Sequence, residues 1–220
     1  MLRLLGWSMK LALCLIMGLV VWVAVDSLVR PVSTLMMGRM VTGQPTDRRW
    51  VPLSAVSSKL IASVILSEDG QFCRHRGVDW AALKDVVYAG HGRPSRGAST
   101  LTMQVAKNLF LWPGRSYIRK GLEIPLALLL DAIWTKKRIF EIYVNMAEWG
   151  DGVFGIEAAA QHDFGIRAAD LSLRQASLLA TALPNPILRR PDKPNHVHRI
   201  LADRIAGLVP DARSHIGCLE

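Results

Sequence analysis

Residues 63–77 read SVILSEDGQFCRHRG. An apolar helical pattern breaks off there in two adjacent acids, and the reading of that break decides what must surround it. Upstream, Leu53, Val56, Leu60, Ile61, Val64 and Ile65 recur at the i, i+3, i+4, i+7 spacing of a helix with one buried face. The spacing predicts a helix over 53–67, stopped by Gly70. Glu68 then sits at the negative end of the helix dipole with Asp69 beside it, and both effects disfavour its charged form. A carboxyl with a raised pKa suits a general base, because its basicity moves toward the working pH. The competing reading is that the two acids only solvate a helix end. Taken by themselves, Phe72 is ordinary core and His75 an ordinary satisfied polar group.

The same helical period runs through the rest of the body. VDWAALKDVVYAGHG (78–92) predicts a short helix ended by Gly90 and Gly92, and GRPSRGAS (92–99) a loop. TLTMQVAKNLFL (100–111) is helical again. A long helical stretch covers 116–150 with Pro125 inside it, followed by GIEAAAQHDFG (155–165). DLSLRQASLLATALPNP (170–186) follows, capped by Asp170 or Ser172, and a final helix surrounds RILADRIAGLV (199–209). No alternating strand of any length appears and no repeat. The body is expected to be mainly α.

Ahead of it lies LALCLIMGLVVWVAV (11–25), a run without charge. Alone it is short of the roughly 20 residues a bilayer core takes, and it reaches that length with Lys10 snorkelling and Ser27 to Val29 included. A signal peptide is the competing reading, against which bulky Trp22 stands where a small residue is wanted. An uncleaved anchor is preferred, with Arg3 and Lys10 on the cytoplasmic side. The expected organisation is a stub and transmembrane anchor over 1–30, an irregular connector over 31–52 rich in Pro and Gly, and a globular domain over 53–220.

Lys and Arg number 27 against 18 Asp and Glu, a net charge of +9. A basic body tethered to a bilayer is drawn to anionic headgroups or phosphorylated lipids, and the anchor argues against nucleic acid as the partner. The three cysteines show no metal-like spacing; with Cys14 in the span, at most Cys73 and Cys218 can bridge.

Two further clusters carry potential chemistry. In RGASTLTMQVAKNLFLWPGR (96–115), Ser99 or Thr100 caps a helix and Gly97 eases its entry. Thr100, Gln104, Lys107 and Asn108 line one side, Leu101, Val105 and Leu109 the other. A stripe of amides and hydroxyls with one Lys fits a surface that hydrogen-bonds sugar or phosphate oxygens, although a polar stripe is ordinarily just the wet face. In RKGLE (119–123), Arg119 and Glu123 are i, i+4 and read equally as a surface pair. The other reading lines Arg115, Arg119 and Lys120 up with Lys107 to hold a diphosphate.

Taken together, EDGQFCRHRG, GASTLTMQVAKN, RKGLE, KKRIFEIYVN and GDGVFGIEAAAQHDFG occur in an order and at distances that resemble the monofunctional biosynthetic peptidoglycan transglycosylases, relatives of the glycosyltransferase domain of class A penicillin-binding proteins. The resemblance covers roughly residues 45–190. It implies a lysozyme-like, mainly helical fold of two lobes flanking a long cleft, with one N-terminal transmembrane helix. It makes Glu68 the general base, with Asp69, Phe72 and His75 in the same motif. Ser99, Thr100, Gln104, Lys107 and Asn108 match the substrate-binding motif, and Arg115 a basic residue after it. Glu123 matches a second acid on the pyrophosphate side, while Lys136, Glu141, Tyr143 and Asn145 match a largely structural motif. Met103, Phe140, Val144 and Asp163 depart from the family pattern, and Pro125 is expected to kink the helix that carries Glu123.

The function so implied is polymerisation of glycan from a polyprenyl-diphosphate disaccharide peptide, lipid II, at the outer face of the inner membrane. Its partners would be lipid II, the growing glycan chain and membrane lipid, with cell-wall synthesis or division proteins as further candidates. Family members use a divalent cation such as Mg²⁺ near the diphosphate, but no metal-ligand spacing is visible and no cofactor is required by the sequence. The alternative reading is a lytic transglycosylase or muramidase, which shares the fold and a lone catalytic glutamate but needs no cation cluster. No SxxK or KTG motif of a penicillin-binding domain is present, so no transpeptidase activity is expected.

Overall fold

A computed structural model of the chain describes residues 2–88, 99–114 and 116–220. Gly90, Gly92, Gly97 and Arg115, to which the sequence reading gave roles, fall outside them. Eleven α-helices are present among the described residues: α1 (Leu2–Asp26), α2 (Thr34–Val41), α3 (Ser58–Glu68), α4 (Trp80–Tyr88), α5 (Leu101–Phe110), α6 (Tyr117–Ile133), α7 (Lys136–Met146), α8 (Ile156–Phe164), α9 (Leu173–Ala182), α10 (His196–Leu208) and α11 (Arg213–Ile216). The mainly helical expectation is met.

The boundaries differ from the sequence reading in instructive ways. Leu53–Ala55 is a separate 3₁₀ turn, and α3 begins at Ser58. The stretch read as one long helix is two, because Thr135 breaks it and caps α7 by accepting a hydrogen bond from the Arg138 amide. Of the two caps considered for α9, Ser172 holds the position and forms a capping box with Gln175. The connector is not wholly irregular: Ser33 caps α2, which buries Met36. Three very short strands also appear. β1 (Asp47–Arg48) runs parallel to β3 (Val153–Phe154), which pairs antiparallel with β2 (Glu148–Gly150). Alternation cannot reveal strands of two or three residues.

One continuous core joins α3, α5, α7, α8 and α9 through Leu60, Val64, Ile65, Leu101, Val105, Phe140, Ile142, Ile156, Ala159 and Leu179. α3 packs along α9, and α5 lies between α6 and α7. The Asn145 side chain is fully buried; it accepts from the Val51 amide and donates to the Val51 and Glu141 carbonyls, fixing the connector to α7. Cys73 and Cys218 are joined by a disulfide across 145 residues of sequence. In the chain-entropy account, closing so long a loop stabilises the fold by about 5 kcal/mol.

Within α1, Trp7–Asp26 is 20 residues long with a mean hydropathy of 2.2, enough to cross a membrane by length and composition. It reaches that length by starting at Trp7, not by running on to Val29. Its far end docks on the body. Val23 is buried, the Trp134 indole N–H donates to the Val23 carbonyl at 2.8 Å, and Trp22 meets Phe110 edge-on at 5.3 Å.

Candidate active site

α3 ends on Glu68, and the two acids of the opening stretch part company at that point. Asp69 is buried. One of its oxygens accepts from the Leu101 amide at 2.9 Å, and both lie 3.0 Å from His75 Nε2. It therefore ties the end of α3 to the exposed donors at the start of α5. Thr100 caps the same helix, accepting from the Met103 amide while its hydroxyl donates to the Gly77 carbonyl at 2.6 Å. Gly77 has φ +78°, and a Cβ there would come within 2.5 Å of the Ala127 carbonyl. Only glycine lets the loop after α3 pass so close to α6.

Glu68 takes the opposite role. Among the described residues its carboxylate accepts one hydrogen bond, from Gln104 Nε2 at 3.0 Å. The Tyr143 hydroxyl, 3.4 Å from Gln104 Oε1, faces the other end of that amide and turns its N–H₂ toward Glu68. Burial drives the Tyr143 pKa well up, so it remains a phenol and a donor. Burial also raises the Glu68 pKa, and Asp69 adds to the rise; Gln104, Arg189 and Lys107 oppose it. The sequence reading had the direction and the Asp69 contribution, but desolvation is the larger cause.

Facing Glu68 is a cluster of cations. Lys107, on the same side of α5 as Gln104, is electrostatically coupled to Glu68, Glu123, Arg119 and Lys120, and burial lowers its pKa. Arg119 and Lys120 both bind Glu123, Arg119 through a buried ion pair and Lys120 at 2.8 Å. Lys120 also donates to Ser99 Oγ at 2.6 Å. Arg119 Nε is buried with no partner among the described residues. Pro125 does not interrupt α6, which is continuous from Tyr117 to Ile133, so Glu123 stays on the helical face that carries Arg119 and Lys120.

An acid of raised pKa beside clustered cations, on helices in this order, is the arrangement that the five sequence motifs point to. A transglycosylase family model matches residues 35–206. The chain belongs to the transglycosylase family. It is 54% identical over 210 residues to a biosynthetic peptidoglycan transglycosylase of Agrobacterium fabrum, covering 95% of this chain and 93% of that one. Proteins of the same description from Brucella suis (54% over 193 residues, 87% and 86% covered) and Mesorhizobium japonicum (51% over 217 residues, 98% and 92% covered) are similarly close. The transglycosylase domain is lysozyme-like, as the resemblance implied.

In this transglycosylase the candidate residues divide by geometry. Glu68, Gln104, Lys107, Arg119, Lys120, Ser99 and Glu123 form one connected group. Asn108 lies one residue beyond Lys107, partly exposed. Phe72, Thr100, Asp69 and His75 hold the loop after α3. Phe72 is fully buried, with Lys136 over its ring at 4.7 Å; Asp69 bonds to His75 and to backbone and Thr100 to backbone, while the buried Nδ1 of His75 has no partner among the described residues. Arg115 lies outside the described residues. The donor set does not fit a resident divalent ion: among the described residues no three His, Cys, Asp or Glu side chains converge, and both Glu123 oxygens are taken by cations.

One neighbour escaped the sequence reading. Arg189 acts electrostatically on Glu68 and is pinned by Nη1 to the Thr181 carbonyl of α9 at 2.7 Å. Ser67, adjacent to Glu68, approaches the Ala180 carbonyl at 3.5 Å and brings α3 to the same helix. Arg189 follows α9 in a segment read only as loop, and the consecutive arginines after LPNP were the available signal.

Proposed function

We propose that this transglycosylase polymerises peptidoglycan glycan strands from lipid II by inverting glycosyl transfer. The observation that carries the reading is Glu68: a partly desolvated carboxylate, held among the described residues by the Gln104 amide and interacting with Lys107, which in turn interacts with Arg119 and Lys120. Glu68 accepts the proton of the acceptor sugar's 4-hydroxyl as that oxygen attacks the donor's anomeric carbon. The bond from that carbon to the diphosphate breaks, and the diphosphate leaves with the polyprenyl chain. Lys107, Arg119 and Lys120 stand where its negative charge grows. A positioned base contributes typically about 10²–10⁴-fold, and raising its pKa brings it nearer the working pH.

The lipid tail explains the rest of the architecture. Trp7–Asp26 supplies a single span, and the Cys73–Cys218 bond belongs to an oxidising compartment, which supports an inner-membrane enzyme with its body on the extracytoplasmic side. A basic body at that surface meets the growing glycan chain and lipid II by lateral diffusion. The test is to incubate the full chain with labelled lipid II. Polymer that lysozyme digests is expected; no polymer, with soluble fragments released from preformed sacculi instead, would overturn the reading in favour of a lytic enzyme.

A further inference from the structure

Residues 213–220 take no part in the chemistry above, yet they touch the loop after Glu68 twice. His215 Nδ1 lies 2.6 Å from the Gly70 carbonyl, two residues past the catalytic acid, and Cys218 is bonded to Cys73, five residues past it. The segment is itself fixed: Ala212 and Leu219 are buried at its two ends, Ile216 and Cys218 pack on the core, and α11 lies against α3.

Between and just after the two attachments the loop carries no helix, only turns closed by the Phe72, Arg74 and His75 amides. Further on, the loop is held independently, by Lys136 on the His75 carbonyl at 2.8 Å and by the close passage of Gly77 against α6. Within 70–73 the Phe72 side chain is anchored in the core against Phe140, and the two flanking positions, Gly70 and Cys73, are held by 213–220. Slack there reaches the chemistry directly, because Asp69, which caps α5, stands between Glu68 and Gly70. α5 carries Gln104 and Lys107, so movement of 69–73 changes the Glu68–Gln104 geometry.

We propose that residues 213–220 are a positioning strap for Glu68, in which the Cys73–Cys218 bond and the His215 contact to Gly70 set where α3 ends relative to α5. Cys73, Cys218 and His215 are positioning residues; none touches substrate. This rests on Glu68 as the base of polymerisation, so the oxidised, unaltered chain must first make polymer from lipid II. If it does not, the functional reading fails before the strap is tested.

The test compares that chain with Cys73→Ser/Cys218→Ser, with His215→Ala, and with the unaltered chain reduced by a dithiol. In the reduction the dithiol supplies two electrons and two protons, the S–S bond breaks to two thiols, and the reductant leaves as its cyclic disulfide. All are assayed well below their own Tm. The expected result is a fall in kcat of between about 10- and 100-fold with KM within twofold, reversed on reoxidation of the reduced chain. Amide exchange should rise within 69–77 and the start of α5 while the other helices keep their protection. An unchanged kcat with a lower Tm would make the bridge a staple only and overturn the proposal, as would exchange rising equally in every helix. Should the double variant fail to fold, His215→Ala and the reduced chain decide the matter, with the same outcomes.

Discussion

Two glutamates, Glu123 buried and Glu68 half-buried, lie within one site and are treated in opposite ways. Glu123 is 2% exposed and has a cation on each oxygen. Glu68 has one amide, and its surroundings on balance disfavour its charge. A carboxylate that is fully paired is a poor proton acceptor but a good organiser of charge. One left short of partners is costly to keep ionised, and that cost is what makes it basic. Glu123 arranges Arg119 and Lys120, and the contrast supports the proposed role of Glu68 as the base.

Glu68→Gln tests the contrast with the largest expected effect. Polymerisation should fall by at least roughly 10²-fold. The fold should not suffer. The folded-state pKa of Glu68 is raised, so the stability it contributes is present below its ordinary 4.5 and lost as pH rises through the higher folded value. At neutral pH the glutamine should therefore match or exceed the parent in Tm, and that advantage should vanish in acid. Thermal scans across pH check the sign, and a variant less stable than the parent at pH 7 would remove the asymmetry.

Glu123→Ala should behave in the reverse manner, losing stability first. It strands a buried Arg119, which costs about 3–5 kcal/mol, and Tm should drop by roughly 10 °C. A neutral result would mean that Arg119 finds another partner. Gln104→Leu is next. It removes the one hydrogen bond to Glu68, and kcat should fall by about tenfold. The acid limb of the pH–rate profile, already expected above 4.5, should move higher still, since Gln104 opposes the rise. Smallest is Arg189→Gln: an acid limb raised by ~0.5 pH unit with little change on the plateau. An unmoved limb would separate Arg189 from Glu68.

How much of this could be read in advance depends on how local its cause is. Glu68 at a helix end, the polar stripe on α5 and the Arg119–Glu123 spacing are matters of period, and the sequence carries period openly. The division between Glu68 and Asp69 is not. It depends on α5 beginning beside Asp69, a contact across 32 residues that no spacing encodes. Phe72 and Thr100 show that motifs record scaffold as well as chemistry: one is buried in the core and the other caps α5. Pro125 does not end α6: the packed face, with Glu123, Ala127 and Leu130 buried, holds the helix together across the missing amide. Arg189 was invisible because a loop has no period to read.

The docking of α1 sets a mechanical limit on the enzyme. Had the span ended in a slack chain, the body could roam tens of ångströms above the lipid. With Val23 held by Trp134 and Trp22 edge-on against Phe110, α1 is fixed to the body at its far end; on the proposed function it would act as a rigid mast that carries Glu68 at a set height above the headgroups. Such a machine would have little vertical reach: substrates would have to present themselves at that level, and a new glycan strand would feed outward along the membrane plane.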